Sequence, residues 1–265
     1  MLLSSEAWHK VHKYQIEKLE DVDKMFLRKL LNSHAKTGIE FLFSESGSIP
    51  LNLKISVRRL LYWWHILSTD KSEMINKVYA AQKLSPISGD WVNLLYKDKE
   101  MFQIELTDEE VYVISKQKFK AYVKKKSVEL TVEYLLKLKK QSKKSKHLDV
   151  REFGISPYLI DSRFSKEDRE LLFKLRSRTI SVKDNFRNAF IDNDMLCELC
   201  RLFPCTQSHV LSCPSLQLSM VVEDGTKLND NYIYGDLEQQ LLYVKIYKNF
   251  WELRENLLNK IEQKE

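Results

Sequence analysis

Four cysteines, Cys197, Cys200, Cys205 and Cys213, fall within seventeen residues, and His209 stands among them. They are the only cysteines of the 265-residue chain. The run Cys197-x2-Cys200-x8-His209-x3-Cys213 offers three thiolates and one imidazole. Two thiolates with two residues between them can grip one ion from a tight turn. If residues 207 to 213 form a helical turn, His209 and Cys213 are four apart and share a face, which completes a tetrahedron. Pro214 is expected to stop that helix. All four positions are then filled by protein, leaving none for a catalytic water, so the expected cofactor is a structural Zn2+. The competing reading is ordinary buried thiols beside a chance histidine. The gathering of every cysteine here, with a histidine at ligand spacing, argues against it. Cys205 reads as a neighbour of the site, with replacement of Cys200 or His209 as its alternative role.

The second chemistry is charge. Lys116, Lys118, Lys120, Lys124, Lys125, Lys126, Lys137, Lys139, Lys140, Lys143, Lys144 and Lys146 share a stretch with two acids, Glu129 and Glu133, a balance of +10. The whole chain carries +6, so the remainder is −4. Such asymmetry fits a polyanion met at one place, and lysine suits phosphate contact better than base readout. A solvated helix face is the alternative, although such faces usually mix signs. Arg176, Arg178, Lys183 and Arg187 form a second basic set. With Phe173, Phe186 and Phe190 interleaved, it could hold a single strand by charge and stacking, unless those rings are core.

Other catalytic signatures are missing. There is no Gly-x4-Gly-Lys-Ser/Thr loop, no Gly-x-Ser-x-Gly elbow, no His-Glu-x-x-His and no adjacent pair of aspartates. His9, His12, His34, His65 and His147 have no partner at catalytic spacing, and His65 reads as a core histidine. An enzyme is therefore not expected. Only Met1-Leu2-Leu3 precedes polar residues, and no run approaches a membrane span, so an intracellular setting, nucleus or cytoplasm, is expected.

These groups need elements to hold them. Six Gly and five Pro are few, which favours helices over tight-turned β structure. Helical patterns run over 4–33, from Pro50 through the apolar cluster Leu60 to Leu67, over 72–84 and over 90–102. Thr107 should cap a helix that continues into the lysine-rich stretch. Ser165 should cap another through Arg178, and Gly235-Asp236 should open a last one with a stripe at Leu242, Ile246, Phe250, Leu253, Leu257 and Ile261. The short apolar piece Ile39 to Phe43 is expected to be interrupted from Ser44. Lys143 to His147 is the expected linker. The fold class is mainly α: a helical bundle domain over 1–150, then 151–265 with a small CCHC zinc knuckle and a C-terminal helix.

Several runs resemble LINE-like non-LTR retrotransposon reverse transcriptases, in the region after the polymerase core. They are Phe26 to Leu31, Lys36 to Leu42, Glu45 to Leu51, Arg58 to Tyr62, Val78 to Gln82, Gly89 to Trp91 and Leu172 to Arg178, closing with Cys197 to Cys213. The resemblance implies a thumb-like domain and a C-terminal knuckle that help hold RNA template and target DNA. The palm with its aspartates is missing, so the chain is expected to be a C-terminal part, and no catalytic residue carries over. The expected partners are RNA and/or DNA, with no membrane. The rival expectation is a helical protein-interaction module, favoured if the stripe from Leu242 to Ile261 faces solvent.

Overall fold

The structure is a computed structural model and describes residues 5, 13–142, 145, 148, 153–183, 185, 195–217 and 233–262. Among them every regular element is helical, with two isolated antiparallel bridges, so the mainly α expectation holds. No helix among the described residues is long and apolar enough to cross a membrane. The described chain divides into two compact units, each assembled from separate stretches.

The first unit comprises residues 5, 13–27, 47–141 and 153–154. It holds most of α1 (Lys13–Leu30) and then α3 (Leu51–Ser68), α4 (Met74–Leu84), α5 (Trp91–Met101), α6 (Asp108–Val113) and α7 (Lys116–Gln141). The dense apolar cluster makes α3 the central helix, packed against α4, α5, α6 and α7. Leu60 and Trp63 are fully buried and Ile66 nearly so, against Val92, Leu95, Phe102, Val111, Phe119 and Val123. Only part of the cluster is core: Tyr62 and Trp64 are half-buried, and His65 is exposed, not a core histidine. Helical spacing explains this, because eight consecutive residues span every side of the helix.

One polar network sits inside this core and a second at its edge. Asp98 accepts from Arg59 Nη1 at 2.5 Å and from Ser56 Oγ at 2.7 Å, all three residues being buried. Asp108 accepts from Trp63 Nε1 at 3.0 Å, Tyr79 Oη at 2.9 Å and Lys83 Nζ at 2.6 Å. Burial works against the Asp108 carboxylate, but Lys83, Tyr79 and Trp63 outweigh it and hold its pKa below the ordinary value. Thr107 and Glu110 form a full capping box around Asp108, as the cap pattern anticipates. The helix stops at Val113, however, and α7 starts afresh at Lys116.

The second unit comprises residues 28–46, 142, 145, 148, 155–183, 185, 195–217 and 233–262. Its helices are α2 (Ile39–Ser46), α8 (Lys166–Arg176), α9 (Gln207–Ser212), α10 (Pro214–Gln217) and α11 (Leu237–Glu262), with a 3-10 turn at Pro157–Leu159. The piece from Ile39 is not interrupted at Ser44. It remains helical through Ser46 and ends where Gly47 takes a φ of 63°. Ser165 and Asp168 form the capping box of α8, and Asp236 caps α11 by accepting from the Gln239 amide at 2.8 Å. Along α11, Ile246 and Phe250 are fully buried and Leu242, Leu253 and Leu257 half-buried, so this stripe is core. It packs on α8, α9 and α10. Ile261, the Lys143 to His147 linker apart from Ser145, and the start of the 4–33 pattern lie outside the described residues or side chains.

Candidate metal centre and basic face

The chain builds the cysteine cluster from a hairpin stub and a short helix. The Cys197 amide donates to Phe203 O at 2.8 Å, and the Cys205 amide to Met195 O at 2.6 Å. Between them lies the Leu196–Pro204 bridge. The intervening turn closes through the Arg201 amide, which donates to Cys197 O at 2.8 Å, with Arg201 itself at a φ of 56°. Thr206 then caps α9, accepting from the His209 amide at 3.0 Å. The helix ends at Ser212 with Cys213 extended, and Pro214 opens α10, where its missing N–H costs nothing. Pro214 thus both ends one helix and starts the next.

This scaffold brings Cys197, Cys200, His209 and Cys213 together, their ligand atoms all within 4.8 Å of one another. Cys197 Sγ lies 4.0 Å from Cys213 Sγ, and Cys200 Sγ 3.4 Å from His209 Nε2. A tetrahedral ion with metal–sulfur bonds of about 2.3 Å and metal–nitrogen bonds of about 2.0 Å sets ligand–ligand edges of roughly 3.5 to 3.8 Å. The four groups therefore lie close enough to bind one metal ion. Cys197 and Cys213 are fully buried, His209 is buried and Cys200 is half-buried. The exposed Phe203 ring has its centroid 5.6 Å from that of the His209 imidazole, tilted by 44°.

The electrostatics fit a cation. The Cys205 thiol donates to Cys197 Sγ and, against burial, lowers its pKa to about 4, helped by the amides of Cys200 and Leu199 and by His209. Burial pushes the Cys213 thiol up to about 11, with Cys197 and Cys200 adding repulsion, although the Leu216 and Ser215 amides point at the same sulfur. Each flanking sulfur thus faces two backbone N–H groups from the residues two and three further on. Bringing a second buried sulfur to the thiolate form beside Cys197 is opposed by mutual repulsion, a penalty that a divalent ion would reverse. Cys205 keeps its proton because it gives that proton's hydrogen bond to Cys197 and is itself buried. It is a neighbour placed outside the quartet.

The quartet is anchored to the rest of its unit through α9. Gln207 Nε2 donates to Leu175 O at 3.0 Å, and Tyr247 Oη donates to Gln207 O. Glu198 pairs with Arg254, whose guanidinium lies 5.1 Å over the Trp251 ring. Ser215 Oγ reaches Leu199 O at 3.3 Å and ties the second cysteine turn to the first. Sequence reading missed Phe203, Thr206 and Ser215. A Thr three residues before His209, and an aromatic between the ligand pairs, were the available signals.

The basic sets divide. On α7, Lys116, Lys118, Lys120, Lys124 and Lys125 are exposed and Lys126 is half-buried beside Glu129 at 3.4 Å. Arg176 is placed differently from the phosphate contact expected of it. Its Nε donates to Glu45 Oε1 at 2.8 Å and its Nη1 to Ile233 O at 3.0 Å. Its guanidinium also lies 5.3 Å from the Tyr158 ring and 4.5 Å from that of Tyr234. Glu45 is 1% exposed, and an arginine committed to a buried carboxylate and two rings has no free fork for phosphate. Lys183 is buried too, and Arg178 half-buried with a φ of 55°. Phe173 is fully buried core. Arg187, Phe186 and Phe190 lie outside the described residues. Comparison with protein-family models, with curated proteins and with solved structures finds no match for this chain.

Proposed function

We propose that the ion is zinc, held by Cys197, Cys200, His209 and Cys213 as a structural CCHC knuckle, in a non-catalytic module that binds nucleic acid. Three thiolates and one imidazole with tetrahedral edges suit Zn2+, which has no redox role and no geometric preference of its own. The partner is RNA and/or DNA, met by phosphate contacts. The observation that carries this reading is the one-sidedness of α7. Its packed face is uncharged, with Phe119, Val123, Ser127, Thr131 and Leu135 fully buried, while Lys116, Lys118, Lys120, Lys124 and Lys125 lie on the exposed side. The resemblance to the region after a retrotransposon polymerase core supports the same reading. Along α11, Ile246 and Phe250 are fully buried and Leu242, Leu253 and Leu257 half-buried, which leaves less apolar surface there for a protein partner.

Two measurements test it. Purified protein should carry one zinc per chain, and a chelator should abolish amide-exchange protection over 195–217 while α3 stays protected. Filter binding over a salt series should give a steep loss of affinity for nucleic acid, with a slope that falls by about 0.9 per phosphate-contacting lysine removed. No retention of any nucleic acid at low salt would overturn the binding half, and zinc content near zero the metal half.

A further inference from the structure

The proposal of nucleic-acid binding leaves open which form is bound, and the first half of α7 carries an answer. At about 100° per residue, Phe119 and Val123 define the packed direction of this half, and Ala121 stands about 180° from their mean. Both aromatic and valine are fully buried, and Ala121 is exposed. Ala121 therefore forms the crest, with exposed Gln117 one turn earlier.

Four exposed lysines flank that crest in two pairs. Lys118 and Lys125 lie about 40° to 60° to one side, and Lys120 and Lys124 about 60° to 100° to the other. Their axial separations are about 10 Å and about 6 Å. None of the four has an ion-pair partner among the described residues, whereas Lys126 is paired with Glu129 and Lys116 lies over the Trp64 ring. A slim crest between two cationic flanks is the shape of a helix that enters a groove and touches both walls. A single strand would meet one flank only.

We infer that the first half of α7 seats in the major groove of B-form duplex DNA, with Lys118 and Lys125 on one phosphate strand and Lys120 and Lys124 on the other. This rests on the proposed nucleic-acid binding. The B-form major groove is about 12 Å wide, and an α-helix with its side chains is about 10 to 12 Å across. The A-form major groove is deep and narrow and does not admit a helix, so duplex RNA is excluded from this mode. A small crest residue reads few base edges, so the contact is largely independent of sequence.

The test uses the full zinc-loaded chain and three probes: a short duplex DNA, the duplex RNA of the same sequence and one single DNA strand. The variants are K118Q/K125Q, K120Q/K124Q and A121W, all at exposed positions, with helical circular dichroism and zinc content as folding controls. Each lysine pair should lower the salt slope on duplex DNA by about 1.8, since each lost phosphate contact is worth about 0.9. Ala121→Trp should weaken duplex DNA by at least about tenfold by holding both flanks off the phosphates, and leave the single strand unchanged. The groove proposal is overturned if one flank carries the whole effect, if Ala121→Trp acts equally on all probes or on none, or if duplex RNA binds as tightly as duplex DNA. In those cases nucleic-acid binding itself stands. If the unmodified chain retains no probe at low salt, both fall together.

Discussion

On the proposed zinc reading, His209 and Cys213 are the ligands whose loss is most informative, because both are buried. His209→Ala and Cys213→Ala should reduce bound zinc from one per chain to well under a tenth, measured by elemental analysis after dialysis. Cys205→Ser should leave zinc at one per chain, because its thiol sits outside the quartet as a donor to Cys197. Arg176 supplies the contrasting case. Arg176→Ala would strand the Glu45 carboxylate in the interior and should cost about 3 to 5 kcal/mol in denaturant unfolding. The salt slope for nucleic acid, measured where the variant is still folded, should not change. The metal quartet was legible in the sequence because its spacing is local and its chemistry narrow. The fate of Arg176 was not, since its carboxylate partner lies 131 positions away and nothing in either neighbourhood names the other.

At the scale of elements, caps were read well and continuities less well. Thr107, Ser165 and Asp236 each start a helix as their side chains dictate. The break between α6 and α7 escaped notice because Val111 and Phe119 keep an apolar rhythm across it, and both are fully buried. What sets α6 apart is Asp108, which must face Trp63, Tyr79 and Lys83 together. Its folded pKa lies below the ordinary 3.8, so its stabilisation is fully present above that value and is lost as pH falls through the folded pKa. Asp108→Asn should therefore be less stable than the native chain by about 2 kcal/mol at neutral pH, the worth of hydrogen bonds to a charged acceptor. Thermal melts should show that gap closing as pH drops below the carboxylate range. A gap that persists unchanged into acid would mean that Asp108 acts by shape alone. Similarly, α2 extends through Ser44 and Glu45 because Glu45 is needed as the buried partner of Arg176, a tertiary demand that overrides the local turn signal of Ser44 to Ser48.

For the molecule as a whole, the two units solve their interior polarity in parallel ways. One buries Arg59 with Asp98, the other Arg176 with Glu45. Neither pair is visible in composition, because each joins residues from separate helices or turns of chain. The ion site follows the opposite plan, drawing all four ligands from one stretch of seventeen residues. Closing so short a loop costs little chain entropy, and the cost grows with separation. Assembly should thus have an order: the stretch from 197 to 213 can take up its ion and settle early, whereas Glu45 must wait for Arg176 across a far longer span. Pulse-labelled amide exchange during refolding with zinc present should show protection at 197–213 arriving before protection in α2. A chain interrupted during synthesis just after Pro214 would already carry all four groups of the proposed ion site, while the whole of α11, against which that stretch finally rests, had yet to be made.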